Sequence, residues 1–382
     1  MIGNYTAEQI SLYFHIPFCN RKCAYCHFYV LPNQEQLKDY LLEGLLLEWE
    51  RIRPLIHNKK ILTIYFGGGT PSLFSPARIL TVLNKVLTEA TVEPFVEITL
   101  EVNPEDVSLS LMRDYQAVGI NRVSIGIQTF QVQLLQILGR LHQPDVAINA
   151  IHTISQAGIK NISVDLMYDL PNQTLQDWHA TLKQLKGLPI QHLSLYNLTI
   201  EPHAIFFKQQ DKWLKLMPDA DTSLSMYNMA LAYLEEIGLH QYEISAFAKE
   251  GYISVHNSGY WIGRPFLGLG PSAFSYWDNK RFQNVANLRK YCRALQEGKS
   301  PVDFSEQLEL HSQQRELLTI QLRLCQGVFL ASFIEHYGPF TIELQRDVER
   351  LIDQRYLVLE SGWLKLTKQG ILFYDSIASE LI

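Results

Sequence analysis

Three of the five cysteines in this chain fall within eight positions, in FCNRKCAYCHF at residues 18–28, spaced as Cys19-x3-Cys23-x2-Cys26. Thiolates at that spacing can turn from one loop onto one metal centre. Four would close a tetrahedral zinc or an iron–sulfur cluster, whereas three leave one corner open. An open iron on a [4Fe–4S] cluster can chelate the amino and carboxylate groups of S-adenosylmethionine. An electron passed to the sulfonium then breaks a C–S bond and yields a 5′-deoxyadenosyl radical. A zinc knuckle completed by His27 or His15 is the alternative that the spacing leaves open. The second candidate is YFGGGTPS at residues 65–72, whose run of three glycines bares backbone N–H and C=O groups to a ligand, or simply makes a turn.

These loops need a frame. Short β-branched and aromatic runs recur at residues 11–16, 61–68, 96–103, 122–129, 161–168 and 192–199, and the stretches between them carry apolar residues at three- and four-residue spacing. Six such β/α units predict a parallel sheet curled into an incomplete (β/α)6 barrel. In the fourth run Arg122, Ser124, Gly126 and Gln128 alternate with Val123, Ile125 and Ile127. Asn161, Ser163 and Asp165 alternate with Ile162, Val164 and Leu166, and His192, Ser194 and Tyr196 with Leu193 and Leu195. The apolar faces are expected to meet helices and the polar faces to line a hollow barrel, since a filled one would want bulky apolar residues inside. Candidate residues then gather at the C-terminal strand ends, where the loops converge on one opening.

The remaining composition narrows the function classes. With 382 residues, 47% apolar, the chain can bury a large core and a smaller second one. A net charge of −6 gives no electrostatic footprint for nucleic acid. No apolar run reaches the length of a membrane span, and the first ten residues lack a signal-peptide pattern, so a cytoplasmic location is expected, with peripheral membrane contact left open. An odd, clustered set of cysteines argues for thiolate chemistry rather than a disulfide framework. Cys292 and Cys325 lie in helical patterns without neighbouring ligands and read as inert buried thiols.

Taken in order, HIPFC, CxxxCxYC, GGGTPS, LEVNPED, RVSIGIQTF, LGRLH, DLMYDLPNQT and LYNLTIEP resemble the blocks of the radical S-adenosylmethionine (radical SAM) superfamily, in its coproporphyrinogen III oxidase-like branch, over nearly the whole chain. The resemblance implies that Cys19, Cys23 and Cys26 hold a [4Fe–4S] cluster. It implies that Tyr13, Tyr25, Gly68, Gly69, Thr70, Glu101, Gln128, Arg140 and Asp165 contact S-adenosylmethionine. Gly69 would take the methionine amino group by its backbone, Glu101 a cation or the ribose hydroxyls, and Arg140 the carboxylate. The oxidases of the branch have a longer arm before the cluster and a further cysteine two positions after the third; here the first cysteine is residue 19 and that further position is Phe28. His256-Asn257-Ser258-Gly259-Tyr260-Trp261 instead resembles the HNxxYW mark of the heme chaperones of the branch. That similarity implies heme as a further ligand, with His256 as its candidate axial residue, and heme-accepting respiratory enzymes as partners; a homodimer stays open. His27, where an Asp is usual, and Ala246, within a block usually reading Ser-Asn-Phe-Ala, depart from the pattern. An oxygen-independent coproporphyrinogen III oxidase in porphyrin biosynthesis is the alternative function.

The expected division is a core barrel over residues 1–240, a connecting segment over 241–299 bearing HNxxYW, and a C-terminal domain over 300–382. In the last, three helical patterns and a short hairpin running into a final helix resemble a winged-helix domain. The charges of its candidate recognition helix balance, which favours a protein-binding or lid role over DNA.

Overall fold

The computed structural model describes residues 8–382. Six strands, β1 (Gln9–Ile16), β2 (Lys60–Gly68), β3 (Thr91–Val102), β4 (Arg122–Gln128), β5 (Asn161–Tyr168) and β6 (His192–Asn197), lie side by side in that order and all parallel. Their alternation does what the sequence predicts. Ile10, Leu12, Phe14 and Ile16 of β1 join the main apolar core together with Val123, Ile125, Ile162 and Val164. The polar residues between them meet one another across the strands: Thr63 donates to Ser11 at 2.9 Å, Ser124 to Asp165 at 3.2 Å, and Ser163 Oγ lies 2.7 Å from His192 Nδ1. The inner face is therefore a layered polar network, not an apolar fill.

Helices α1 (Glu35–Ile52), α2 (Pro76–Glu89), α3 (Leu109–Ala117), α4 (Val132–Leu138), α5 (Pro144–Gln156) and α6 (Leu175–Lys183) make the crossovers. Several starts are written locally. Ser75 caps α2 just before Pro76, Ser108 caps α3, and Thr174 with Asp177 forms a capping box on α6.

Beyond the six strands the sheet continues on both sides. After α7 (Ala220–Glu236), β7 (His240–Glu243) and β8 (Ala246–Ala248) extend the sheet antiparallel past β6. The HNSGYW stretch, placed by sequence in a connecting segment, is helix α8 (Val255–Trp261), capped by Ser254. Next, β9 (Phe266–Leu269) returns to the opposite side of β1 as a seventh parallel strand, followed antiparallel by β10 (Phe274–Trp277), β11 (Lys280–Asn284) and, after α9 (Leu288–Gln296), β12 (Val302–Gln307). The sheet runs β12-β11-β10-β9-β1-β2-β3-β4-β5-β6-β8-β7, with its two ends unjoined. Runs of three to six residues are too short to declare a period. The β9–β10 approach also depends on Gly268, where a Cβ would stand 2.0 Å from the Phe274 carbonyl oxygen.

Residues Leu317, Leu322, Phe333, Leu344, Leu351, Leu357 and Leu364 form a second, separate core. It is built by α10 (Leu310–Gln321), α11 (Leu330–Tyr337) and α12 (Ile342–Asp353), with a small sheet in which β15 (Trp363–Leu366) lies between β13 (Val328–Phe329) and β14 (Leu357–Glu360). Three helices and a wing make the arrangement winged-helix-like. Cys325 corrects one expectation: it is exposed in a turn after α10, whereas Cys292 is buried in α9. Among the described residues no helix is long and apolar enough to cross a membrane.

Candidate functional site

The cysteine loop leaves β1 at the mouth of the barrel. A two-residue parallel pairing of Phe18–Cys19 with Leu31–Pro32 closes its base. Ala24 N–H donates to the Leu138 carbonyl at the end of α4, and the Ala24 carbonyl accepts from Phe206 N–H at 2.9 Å, so the middle of the loop is clamped from both sides. Tyr25 packs between these elements with Leu134, Leu138, Met167, Leu198 and Phe206.

The glycine run abuts this loop. Gly69 N–H donates to the Ile16 carbonyl at 2.9 Å and Thr70 N–H to the Phe18 carbonyl at 2.7 Å. A Cβ at Gly69 would come within 2.7 Å of the Phe18 carbonyl oxygen. Gly69 is therefore required first by the cysteine loop packed on it, and a ligand ammonium, itself a donor, could meet only its carbonyl oxygen. Gly68, at φ +111°, packs under His15, and its N–H donates to Glu101 Oε2 at 3.1 Å.

Cys19, Cys23 and Cys26 border one cavity of about 460 Å³ together with Tyr25, Gly68, Gly69, Thr70, Glu101, Gln128, Arg140 and Asp165. That is the size of a small-molecule site. Arg140 bonds Asn103 Oδ1 at 2.8 Å and the Gly126 carbonyl, with Cys23 Sγ at 3.6 Å; Asn103 donates to Thr70 Oγ1 at 2.8 Å, and Thr70 Oγ1 lies 3.5 Å from Cys19 Sγ. Gln128 takes φ +70° at a bulge that aims it differently from the rest of β4. Across the cavity, Glu101 accepts the Tyr65 hydroxyl at 2.8 Å, and burial pushes its carboxyl up to about 7, the nearby Asp165 adding to the effect. Burial likewise raises Asp165 to about 6 against the hydrogen bonds of Ser194 and Ser124.

Two predicted contact residues stand apart from the cavity lining. Tyr13 lies behind it, its hydroxyl 3.0 Å from His15 Nδ1 and its ring stacked on Tyr65. His256 lies deeper in the barrel, 1% exposed, with Nδ1 2.7 Å from Thr63 Oγ1 and Nε2 2.8 Å from Tyr260 Oη. Neither ring nitrogen is presented to an iron in this arrangement. His15, offered by sequence as a zinc ligand, holds Tyr13 with one nitrogen and the Tyr29 carbonyl with the other, so it does not complete a zinc site here. Tyr65 and Asn103 are absent from the predicted contact set. The alternation of β2 signals Tyr65, which shares a face with Thr63 and Gly67.

The model of the radical SAM superfamily matches residues 13–185. The heme chaperone HemW of Escherichia coli (strain K12) is 32% identical across 96% of this chain and 97% of that protein. HemW of Bacillus subtilis (strain 168) is 32% identical over the same shares. The chain belongs to the radical SAM superfamily. Within it, zebrafish (Danio rerio) mitochondrial radical S-adenosyl methionine domain-containing protein 1 is 32% identical across 98% of this chain and 87% of that protein. The solved structure of the radical SAM enzyme HemN, the coproporphyrinogen III oxidase of Escherichia coli, covers all of this chain with 91% of its own at a TM-score of 0.86; at 22% identity it bears on the fold.

A radical SAM protein uses a [4Fe–4S] cluster and S-adenosylmethionine, and the residues at the mouth fit both. Burial pushes the Cys19 thiol up to about 11, which the positive charge of bound iron would reverse. Arg140 Nε is buried without a partner beside the cavity. Cys19, Cys23 and Cys26 would hold the cluster, which when bound would supply the electron for reductive cleavage of a sulfonium C–S bond.

Proposed function

We propose that this radical SAM protein is a heme chaperone of the HemW kind, which binds heme and passes it to heme-requiring acceptor proteins in the cytoplasm. In this reading Cys19, Cys23 and Cys26 hold the cluster, Glu101 and Asp165 face the cationic parts of S-adenosylmethionine, and Arg140 faces its carboxylate. The observation that carries the reading is the end-to-end similarity to HemW proteins at 32% identity. Phe28 supports it. The residue at the position of the oxidases' further cysteine is an exposed aromatic on the cavity rim, which suits contact with a flat apolar ligand better than metal ligation.

The test is one anaerobic preparation with the cluster reconstituted, assayed for iron and sulfide, hemin binding and coproporphyrinogen III decarboxylation. About four irons per chain, tight hemin binding and no decarboxylation are expected. Cys23→Ala is expected to lose the cluster. Decarboxylation without hemin binding would replace the chaperone by the oxidase.

A further inference from the structure

The HNSGYW segment is the one sequence motif that the cavity at the barrel mouth leaves unused. It enters the barrel from the other end. The N–H groups of Val255 and His256 donate to the two oxygens of the buried Glu97, at 3.0 and 2.8 Å, which fixes the start of α8 on β3. Arg264 bonds the Val255 carbonyl and Ser11 Oγ, tying the end of the segment to β1.

Inside this clasp the imidazole is fully determined. Thr63 Oγ1 donates its proton to Ser11, so it accepts from His256 Nδ1–H, and Nε2 accepts from the Tyr260 hydroxyl. The ring is thus neutral and singly protonated, with each nitrogen engaged. One face lies on Tyr65, with centroids 4.7 Å apart and planes at 30°. Tyr13 stacks on Tyr65 as well, at 6.1 Å and 28°. Held in this way, Tyr65 donates to Glu101 Oε1, and the second oxygen of Glu101 accepts from Gly68 N–H. Two contacts, His256 on Tyr65 and Tyr65 to Glu101, join HNSGYW to the cavity wall.

We propose that His256 is a positioning residue for the S-adenosylmethionine site, acting through Tyr65 and Glu101, and that it is not an axial ligand of heme. The inference rests on the reading above in one respect, that Glu101 contacts S-adenosylmethionine. Iron at Nδ1 or Nε2 would displace Thr63 or Tyr260 and require a porphyrin inside a packed barrel. A carboxylate that must meet a cation in one geometry gains affinity from being held there in advance.

The test uses the full chain with its cluster reconstituted, and measures S-adenosylmethionine affinity by anaerobic equilibrium dialysis and hemin affinity by Soret titration. His256→Ala is expected to weaken S-adenosylmethionine binding about tenfold, with hemin affinity and band positions unchanged. His256→Asn, whose amide can still donate to Thr63 and lie flat on Tyr65, is expected to recover most of the loss. Tyr65→Phe is expected to reproduce the effect. The double variant is expected to be no weaker than either single one, which simple loosening of the barrel would not give. If His256→Ala proves unfolded, His256→Asn against Tyr65→Phe and their double carry the same comparison. Additive losses, or an altered Soret band in a folded His256 variant, overturn the proposal. Glu101→Gln separates the two levels. Unchanged affinity there overturns the assignment of Glu101 and this inference with it, whereas a loss there with none in the His256 variants overturns the positioning role alone.

Discussion

Glu101 and Asp165 are two carboxyls that burial holds partly protonated near neutrality, at about 7 and about 6. S-adenosylmethionine brings a sulfonium and an ammonium, which favour the ionised carboxylates, so binding releases protons below those values. Affinity is therefore expected to rise from pH 5.5 to about 7.5 and then level, by up to about tenfold per pH unit for each proton released. Equilibrium dialysis across that range checks it, and Glu101→Gln is expected to remove the upper part of the rise. The opposite sign governs the stability of the ligand-free protein. Both carboxyls titrate above their unfolded values, so the stability they contribute is full below pH 4 and is lost as pH rises through 6 to 7.

At the scale of elements, α1 carries a carboxylate that ties three parts of the chain together. Glu48, 3% exposed, accepts from Gly270 N–H at 2.8 Å, the Tyr291 hydroxyl at 2.6 Å and Asn284 Nδ2 at 2.6 Å, joining α1 to the turn after β9, to α9 and to β11. Glu48→Gln places an amide donor among three donors. The Tyr291 hydroxyl can reverse its bond, but the Gly270 N–H cannot, so a cost of about 1–3 kcal/mol is expected in urea unfolding. Burial raises the Glu48 carboxyl to about 7, so its contribution is full below pH 4.5 and lost as pH rises through 7. The penalty of Glu48→Gln is accordingly expected to be larger at pH 5 than at pH 8.

At the scale of the molecule, the barrel and the C-terminal domain meet at Arg323. Its carbonyl accepts from Ile244 N–H at 3.0 Å, Cys325 N–H donates to the Tyr242 carbonyl at 2.9 Å, and its guanidinium reaches the buried Glu243 at 3.4 Å. That guanidinium also lies 4.4 Å over Trp261, the last residue of HNSGYW, and 5.2 Å over Tyr374. Arg323→Ala leaves Glu243 buried without its charge partner, at an expected cost of about 3 kcal/mol, with faster amide hydrogen exchange along the domain contact at residues 242–245 and 323–325. Adding Glu243→Gln is expected to return part of that loss, because the uncompensated charge is then gone.

How far the sequence reaches depends on the range of the interaction that decides each feature. The spacing of Cys19, Cys23 and Cys26, the glycines at 67–69 and the alternation in 122–128, 161–168 and 192–197 are local patterns, and they determine the barrel, its polar interior and the end at which the cavity opens. Phe266–Leu269 is four residues long and becomes a parallel strand only because β1 offers it an edge more than 250 positions earlier in the chain, so no local period announces it. The same holds for residues judged one at a time. Gly69 reads in sequence as a gap for a ligand, and the fold fills that gap with the backbone of Pro17 and Phe18. His256 reads as a histidine in search of a metal. Tertiary structure gives both of its nitrogens to Thr63 and Tyr260, because burying an imidazole without partners would cost more than any local preference could return.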